Sequence, residues 1–375
     1  MVSKRWKNSM YIPDEVLIDI LLRLPVKSLI RFMTVCKSWR NMIGRLSFIG
    51  EHLNRNLNNH AHTFLVALHN NGGTGDTGYS LLSNETFEVC VTVQHRSRKP
   101  FGIYGSSNGL LCLSYEKLNM NNPIWIYNPS LKKRVTLPRT SLSWQLLPGS
   151  RMSWRPLFGY GMTLAFGFHP GVNDYKAVRK VSIDVEELLS AVEIYSLSTK
   201  SWKMVDVIPP LIKSMKWVCG YGMCNGIAYW TMSNQKDYLV SVDAGNEVFQ
   251  EIQLPEGIAR GIKSVEEYKE SICLLQLNKD GQEEHINIWI LQEKYFKKLV
   301  TVGFPGMSLT PLGFRMKNEL LLELHEQDSK GPSGSDLAIY NLESKQLTQT
   351  GIRLVKNYYD AYYVATYVES VLLVD

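Results

Sequence analysis

The sequence predicts a small all-α module of three helices followed by an all-β propeller, with six four-stranded blades closed by N- and C-terminal strands. Two observations predict this order. Apolar residues recur at helical spacing from Tyr11 to about Phe48, and short β-like runs separated by Gly, Asn and Pro turns follow from residue 63. Strand–turn–strand units also recur, and a period in the forties is typical of propeller blades. These units are centred near Leu81, Tyr127, Tyr195, Val242, Ile290 and Tyr340, at intervals of 46, 68, 47, 48 and 50 residues.

The helical module is predicted to begin at Pro13, because proline is tolerated in a first helical turn and Asp14 and Glu15 then lie at the positive end of the helix dipole. Pro25 ends this helix. A second helix is expected from Val26 to Met33, and a third from Lys37 to Ile43. Three short helices cannot bury all of their apolar side chains among themselves. Some of the following should therefore stay exposed as a docking surface: Leu17, Leu21, Leu24, Pro25 and Leu29.

The same residues resemble an F-box in the form common in plants. The resemblance rests on Ile12-Pro13-Asp14-Glu15-Val16-Leu17-Ile18-Asp19-Ile20-Leu21-Leu22-Arg23-Leu24-Pro25-Val26-Lys27-Ser28-Leu29-Ile30-Arg31-Phe32 and on Val35-Cys36-Lys37-Ser38-Trp39-Arg40, with Ile12 where Leu is usual. It implies binding to the Skp adaptor of an SCF-type ubiquitin ligase, and through the adaptor to a cullin scaffold. The residues that would lie on or directly behind the adaptor surface are Pro13, Leu17, Leu21, Leu24, Pro25, Leu29, Val35, Cys36 and Trp39.

Two other interpretations of the helical module stay open. Its leucines could form the core of a structural cap on the next domain. It could also be a basic helix-turn-helix on DNA, whose recognition helix would need polar side chains aimed at base edges. The third helix offers only Lys37, Ser38, Arg40 and Asn41, interrupted by Trp39.

The repeats predict how the ring closes. Each hairpin should form the outer half of a blade, and its inner strands should precede it in sequence. Five such hairpins are Trp125–Pro138, Val192–Val205, Leu239–Pro255, Asn287–Val302 and Leu337–Ile352. The first hairpin, Phe64 to Val93, has no inner strands before it, and Ala361 to Val374 has no hairpin after it. The two halves would complete one blade and remove free sheet edges. Only Asp184 to Leu189 and Ser264 to Glu270 suggest helix in this part of the chain.

The propeller region is also similar to the F-box-associated domain of plant F-box proteins, of which the pollen S-locus F-box proteins are one branch. The similarity rests on Phe168-His169-Pro170, Asp174-Tyr175-Lys176-Ala177-Val178-Arg179, the Trp202 hairpin, Asn225-Gly226 with Trp230, and Trp289. The long segment 139–160 departs from the family. We therefore expect a tail over residues 1–9, the F-box over 10–50, a polar Asn-rich linker over 51–62 and the propeller over 63–375.

Catalysis, metal binding and cofactor binding have little support in the sequence. The Walker pattern and C-x-x-C are absent, and His60-x-His62 falls in the predicted linker. We expect a non-catalytic protein without metal or cofactor. The six cysteines are expected to be free thiols. No secretory signal and no apolar run of about 18 residues is present, so the prediction is a cytoplasmic or nuclear protein without a membrane partner.

The interval of 68 residues identifies a candidate surface for a target protein. It contains an insertion with Trp, Arg and Tyr residues, the types enriched in binding hot spots: Trp144, Arg151, Trp154, Arg155 and Tyr160. A loop folded onto its own blade is the alternative. Two further candidates are the Gly-rich loop Asn70 to Gly78 and the segment Gln327 to Ser335.

The charge of the chain lies in the helical module. The net charge is +6, and the first 60 residues hold ten Lys and Arg against four Asp and Glu, which accounts for all of it. Because these basic residues flank an apolar docking face, they favour an acidic protein partner over nucleic acid. The prediction is a ligase substrate receptor that holds a target of unknown identity. The alternative is a propeller scaffold or small-ligand-binding protein with a structural helical cap and no ligase role.

Overall fold

The computed structural model describes a helical module and a β-propeller in contact with each other. It describes residues 12–57, 62–71, 76–95, 101–115, 118, 122–139, 162–184, 188–206, 209, 220–233, 237–256, 258, 261–269, 271–281, 283–315, 318–326, 335–354 and 364–373.

Four helices make up the described N-terminal region: α1 (Asp14–Leu22), α2 (Val26–Phe32), α3 (Lys37–Ile43) and α4 (Leu46–Leu57). The three predicted helices are confirmed, with Pro13 and Pro25 at the N-caps of α1 and α2. The prediction of a linker from residue 51 is wrong, because α4 occupies most of it. Its apolar face packs against the other helices, while Asn56 and the imidazole of His52 are buried with hydrogen-bond partners.

The propeller has six four-stranded antiparallel sheets among the described residues, which we number as blades 1 to 6. Blade 1 contains β1 (Thr63–Asn71), β2 (Asp76–Ser83) and β3 (Val89–His95) together with the last strand, β24 (Val364–Val368). Blade 2 contains β4 (Phe101–Ser107), β5 (Leu110–Tyr115), β6 (Trp125–Asn128) and β7 (Lys133–Thr136). Blade 3 contains β8 (Thr163–His169), β9 (Asp174–Asp184), β10 (Leu188–Ser196) and β11 (Ser201–Met204).

The other three blades follow the same order from the innermost strand to the outermost. Blade 4 contains β12 (Gly220–Cys224), β13 (Ile227–Ser233), β14 (Asp237–Asp243) and β15 (Phe249–Gln253). Blade 5 contains β16 (Ile262–Tyr268), β17 (Ser271–Asp280), β18 (Glu283–Gln292) and β19 (Tyr295–Gly303). Blade 6 contains β20 (Met307–Arg315), β21 (Glu319–Glu326), β22 (Ser335–Asn341) and β23 (Leu347–Leu354). Each blade's innermost strand packs against that of the next, and β24 completes the ring between β20 and β4.

The closure predicted from the repeats is confirmed. The chain's last strand pairs with its first, with Thr63 opposite Val368 and Ala67 opposite Val364. The two suggested helices are wrong: Ile262–Tyr268 is the innermost strand of blade 5, and Asp184 and Leu188 lie at the ends of two paired strands. Ring packing and ladder hydrogen bonds override the local preference there.

Two Asn-Gly turns join first and second strands as expected. Asn108-Gly109 and Asn225-Gly226 all have positive φ, between 50° and 83°, which the tight hairpin requires. Most of the core lies between adjacent sheets and is made of Leu, Ile, Val and aromatic side chains. No helix in the described ranges is long and apolar enough to cross a membrane.

Candidate functional site

An exposed apolar face runs along α1. Val16 and Ile20 lie four residues apart on one side of α1, Ile12 lies just before the helix, and each of the three is nearly half-exposed. Pro13 is exposed beside them. The opposite side of α1 is buried, with Leu21 and Leu22 in the helical core. We call the exposed set of Ile12, Pro13, Val16 and Ile20 the α1 ridge; it is an apolar surface that the described chain leaves uncovered.

The turn between α2 and α3 adds a second exposed group. Val35 is 63% exposed and Cys36 beside it is exposed. The Cys36 sulfur accepts a hydrogen bond from the Trp39 N–H at 3.5 Å and so caps α3. Trp39 is partly buried, with its ring edge-on to that of Phe32 at 5.1 Å. The cap and the ring contact hold this turn in a defined conformation.

The nine predicted docking residues thus divide by burial. Four are exposed: Pro13, Pro25, Val35 and Cys36. Three are partly buried: Leu17, Leu24 and Trp39. Leu21 and Leu29 are fully buried, so of the predicted positions on or directly behind the surface only the second is open to these two. They lie behind the surface and support it.

The prediction missed the exposed side chains of α1. Ile12, Val16 and Ile20 are more exposed than the leucines that the prediction selected. The spacing was the available signal. Val16 and Ile20 form one apolar set at four-residue spacing and Leu17 and Leu21 form another, and the two sets cannot both face the core fully.

Exposed basic residues surround these surfaces. Arg23 and Arg55 each pair with Asp19 at 2.9 Å, and the two guanidinium groups, that of Arg55 first, hold the pKa of Asp19 below its ordinary value. Among the described residues, no acidic side chain pairs with the other exposed basic side chains, which are Lys27 and Arg31 of α2, Lys37 and Arg40 of α3, and Arg45 between α3 and α4. This side of the module therefore carries exposed positive charge.

The helices contact one end of the propeller, which we call the helical end; the other is the far end. Val371, which follows β24, lies in the helical core, so β24 runs toward the helical end. Gly109, at the end of β4, packs on Ser370, and Asn128, at the end of β6, donates to the Ser370 carbonyl. β4 and β6 therefore also finish at the helical end, and β7 runs back to the far end.

The predicted target-binding residues Trp144, Arg151, Trp154, Arg155 and Tyr160 lie outside the described residues, as do residues 72–75 and 327–334 of the two other candidate segments. The strands that precede these segments are described. β1, β7 and β21 all run away from the helical end, so the three segments start at the far end of the propeller.

His169 and Asp243 form the most catalysis-like pair among the described residues, and their contacts show a structural role. The His169 Nε2–H donates to Asp243 Oδ1 at 2.9 Å, which joins blade 3 to blade 4. Its Nδ1 accepts from the Val172 N–H at 3.3 Å, in the short 3-10 turn Pro170–Val172. Because both ring nitrogens are occupied within the fold, the imidazole has no nitrogen left to accept a substrate proton.

The Asp243 carboxylate also accepts hydrogen bonds from the backbone of a tight turn. Its Oδ1 accepts from the backbone N–H groups of Gly245 and Asn246, both at 2.8 Å. Burial alone would raise the pKa of Asp243, but these donors and the His169 ring outweigh burial and lower the pKa to about 2.

Asp243→Asn is expected to destabilise the propeller at pH 7 by about 1 to 2 kcal/mol. The pKa of Asp243 in the folded state lies below the unfolded value of about 4, so the stabilisation is complete above about pH 5 and is lost as the pH falls toward 2. Urea unfolding of both proteins between pH 7 and pH 3 checks this. The difference between them should be constant above pH 5 and shrink below pH 4; a constant difference at all pH values would contradict this assignment.

No group of three or more His, Cys, Asp or Glu side chains suited to a metal ion occurs in the part of the chain that the structure describes. His60 of the predicted His60-x-His62 pair lies outside that part. His62 contacts the Glu369 carboxylate, with 3.7 Å between His62 Nδ1 and Glu369 Oε2.

Comparison with known protein families finds a match for each of the two modules. Residues 11–49 match the F-box domain, and residues 59–302 match the F-box associated beta propeller domain. The chain is 26% identical to the F-box protein CPR1 of Arabidopsis thaliana, covering 93% of this chain and 86% of that protein. It is 23% identical to the F-box/kelch-repeat protein At3g23880 of Arabidopsis thaliana, covering 88% of this chain and 87% of that protein.

Among solved structures, the fold is similar to that of TolB from Acinetobacter baumannii. The TM-score is 0.50 at 11% sequence identity, covering 82% of this chain and 67% of TolB. At that identity the likeness concerns the propeller fold alone.

Proposed function

This chain belongs to the F-box proteins that carry an F-box-associated β-propeller, and we propose that it is the substrate-recognition subunit of an SCF-type ubiquitin ligase. These families consist of non-catalytic adaptors. In the proposal, the F-box binds the Skp-type adaptor, which connects it to the cullin scaffold, and the propeller binds a target protein for ubiquitination. The cytoplasm and the nucleus are the proposed sites of action, because the ligase family works there.

The α1 ridge carries this proposal. Helices of a monomeric module normally bury their apolar faces, whereas α1 leaves Ile12, Val16 and Ile20 uncovered and buries its other side. Val35 and Cys36 extend the exposed apolar surface to the α2–α3 turn. The predicted docking leucines that are buried, Leu21 and Leu29, would act by supporting α1 and α2 from behind.

The exposed basic side chains suit an acidic adaptor. Charges around an apolar docking face accelerate encounter and select a partner of the opposite sign. We therefore propose that Lys27, Arg31, Lys37 and Arg45 steer an acidic adaptor, and that apolar contacts with the α1 ridge supply most of the affinity.

The proposed mechanism is proximity. Binding a target raises its effective concentration near the ubiquitin-charged enzyme, which other subunits supply, so that no residue of this chain needs to do chemistry. We place the target at the far end of the propeller. This placement is supported by the directions of β1, β7 and β21, which end where the three candidate recognition segments begin.

Ile20→Asp is expected to reduce capture of a Skp-type adaptor at least tenfold, because it places a charge in an apolar contact. The matched control is Leu299→Asp on β19, since Ile20 and Leu299 are 45% and 46% exposed. Capture is measured by co-purification and by titration of the adaptor with the full chain, and circular dichroism checks that both variants are folded.

Equal capture by Ile20→Asp, Leu299→Asp and wild type would reject the α1 ridge as the docking surface. If the wild-type chain also fails to bind any Skp-type adaptor, the ligase proposal itself fails. The propeller would then be a scaffold or a small-ligand-binding protein with a structural helical cap.

A further inference from the structure

The residues after β24 contact both the helical module and the propeller. We call Glu369–Leu373 the closing segment, and we infer that it is a positioning element that fixes the propeller in one orientation relative to the F-box. In that arrangement the distance between the adaptor-binding helices and the far end of the propeller is fixed. The fixed orientation stands on the contacts alone; its use in presenting a target rests on the proposed function.

Val371 anchors the closing segment in the helices. Its side chain is 0% exposed and lies in the helical core with Leu21, Leu22, Val26 and Leu29. Leu372 packs against this core and also against the core between blades 2 and 3. An apolar side chain of the propeller's last segment is therefore part of the core of the F-box helices.

Polar contacts from α4 hold the backbone of the same segment. The Asn56 side-chain amide donates to the Glu369 carbonyl at 3.0 Å, and the Glu369 N–H donates to the His62 carbonyl at 3.1 Å. His52, stacked beside Phe48, hydrogen-bonds the Leu24 carbonyl at 2.9 Å. α4 thus connects the end of α1 to the closing segment, and the buried Asn56 would lose its partner if the modules separated.

Blade 2 holds the other side of the closing segment. Asn128 Nδ2 donates to the carbonyls of Ser370 and Leu372, at 3.0 and 2.8 Å. Asn128 Oδ1 accepts from the backbone N–H groups of Ser130 and Leu131, so its amide is fixed in orientation. Gly109 packs so closely that a Cβ there would lie 2.3 Å from Ser370 Oγ. The segment is therefore fastened to a rigid part of the propeller.

These contacts form a second connection between the modules. The covalent connection between α4 and β1 passes through residues 58–61, and a single connection of this kind leaves rotation between two domains free. The closing segment adds a buried apolar anchor, Val371, and the hydrogen bond from Asn56 to the Glu369 carbonyl, which joins residues more than 300 positions apart. Two separate attachments remove the rotation that one would allow.

Distances between spin labels test this inference in the full chain without any partner. Cys36 in the helices and Cys90 on blade 1 are exposed thiols, whereas Cys112, Cys224 and Cys273 are buried. With Cys219→Ser as background, nitroxides on Cys36 and Cys90 should give one narrow distance distribution by pulsed electron resonance. Val371→Ala should increase the width of this distribution at least twofold, whereas Val371→Ile should keep the width of the wild-type chain.

Two further variants complete the design. Asn128→Ala removes the propeller-side hydrogen bonds without touching the helical core, and it should also broaden the distribution. Val248→Ala, at an exposed position in the turn after β14, is the control and should not. Circular dichroism shows that each variant retains its helices and strands.

A broad distribution in the wild-type chain overturns the inference, as does an unchanged narrow distribution in both Val371→Ala and Asn128→Ala. Adaptor capture is measured separately on the wild-type chain and the same variants without nitroxide labels. A narrow wild-type distribution without adaptor capture would reject the proposed function and leave the fixed orientation standing.

Discussion

Gly222→Ala is expected to destabilise the propeller by about 3 kcal/mol, which lowers the melting temperature by about 4 °C. Gly222 lies on β12, the innermost strand of blade 4, where it faces β16 of blade 5. A Cβ at this position would lie 2.1 Å from the Val265 carbonyl oxygen and 3.3 Å from the Val265 Cβ. A backbone oxygen in a sheet cannot rotate away, so the two blades would have to separate.

The control for Gly222→Ala is Gly50→Ala in α4. No atom lies within 4 Å of a Cβ built at Gly50, and alanine is favoured over glycine in a helix by about 0.5 to 1 kcal/mol. Thermal unfolding followed by circular dichroism should therefore show opposite shifts for the two substitutions. Equal melting temperatures for Gly222→Ala and wild type would mean that blades 4 and 5 are not in this close contact.

Glu193→Gln is expected to cost about 3 to 5 kcal/mol of stability. Glu193 is fully buried in blade 3 and receives hydrogen bonds from Nε and Nη2 of Arg179, which is only 2% exposed. The Arg179 guanidinium also stacks on the Trp202 ring, 4.4 Å from its centroid. Removing the carboxylate charge leaves a buried guanidinium without its counterion, whereas the shape of the side chain is kept.

A double variant separates the lost charge from lost packing. Arg179→Met combined with Glu193→Leu leaves no buried charge, so its melting temperature should lie closer to wild type than that of Glu193→Gln. Glu247→Gln removes one partner of the exposed Lys203–Glu247 pair and should have little effect. If Glu193→Gln unfolds at the wild-type temperature, the buried pair does not stabilise blade 3.

Much of the propeller was predictable because its turns carry strong local signals. Asn108-Gly109 and Asn225-Gly226 require positive φ, and the alternating apolar runs beside them fix which strands pair. The unmatched first hairpin and last strand predicted the closure of blade 1. Residues 264–268 were the exception, because Glu266 and Glu267 favour helix locally and only the ring packing makes them a strand.

α4 was not predictable from composition, since its asparagines suggest a linker. Asn56 is stable inside the fold because the Glu369 carbonyl, more than 300 residues later in sequence, accepts its hydrogen bond. A hydrogen-bond acceptor so far away in sequence cannot be inferred from a local sequence pattern. The docking surface stays a prediction; what the sequence could not give is the burial of Leu21 and Leu29, because it depends on packing with α4 and Val371.

The order of synthesis gives the closing segment a further consequence. The other residues of the helical core lie more than 300 positions before Val371 in the sequence. At 5 to 20 residues per second the core waits roughly 15 to 65 s for this side chain. During that time both the gap left by Val371 and the open edge of β1, which β24 later covers, are exposed. A chain that stops before β24 can therefore complete neither the helical core nor blade 1.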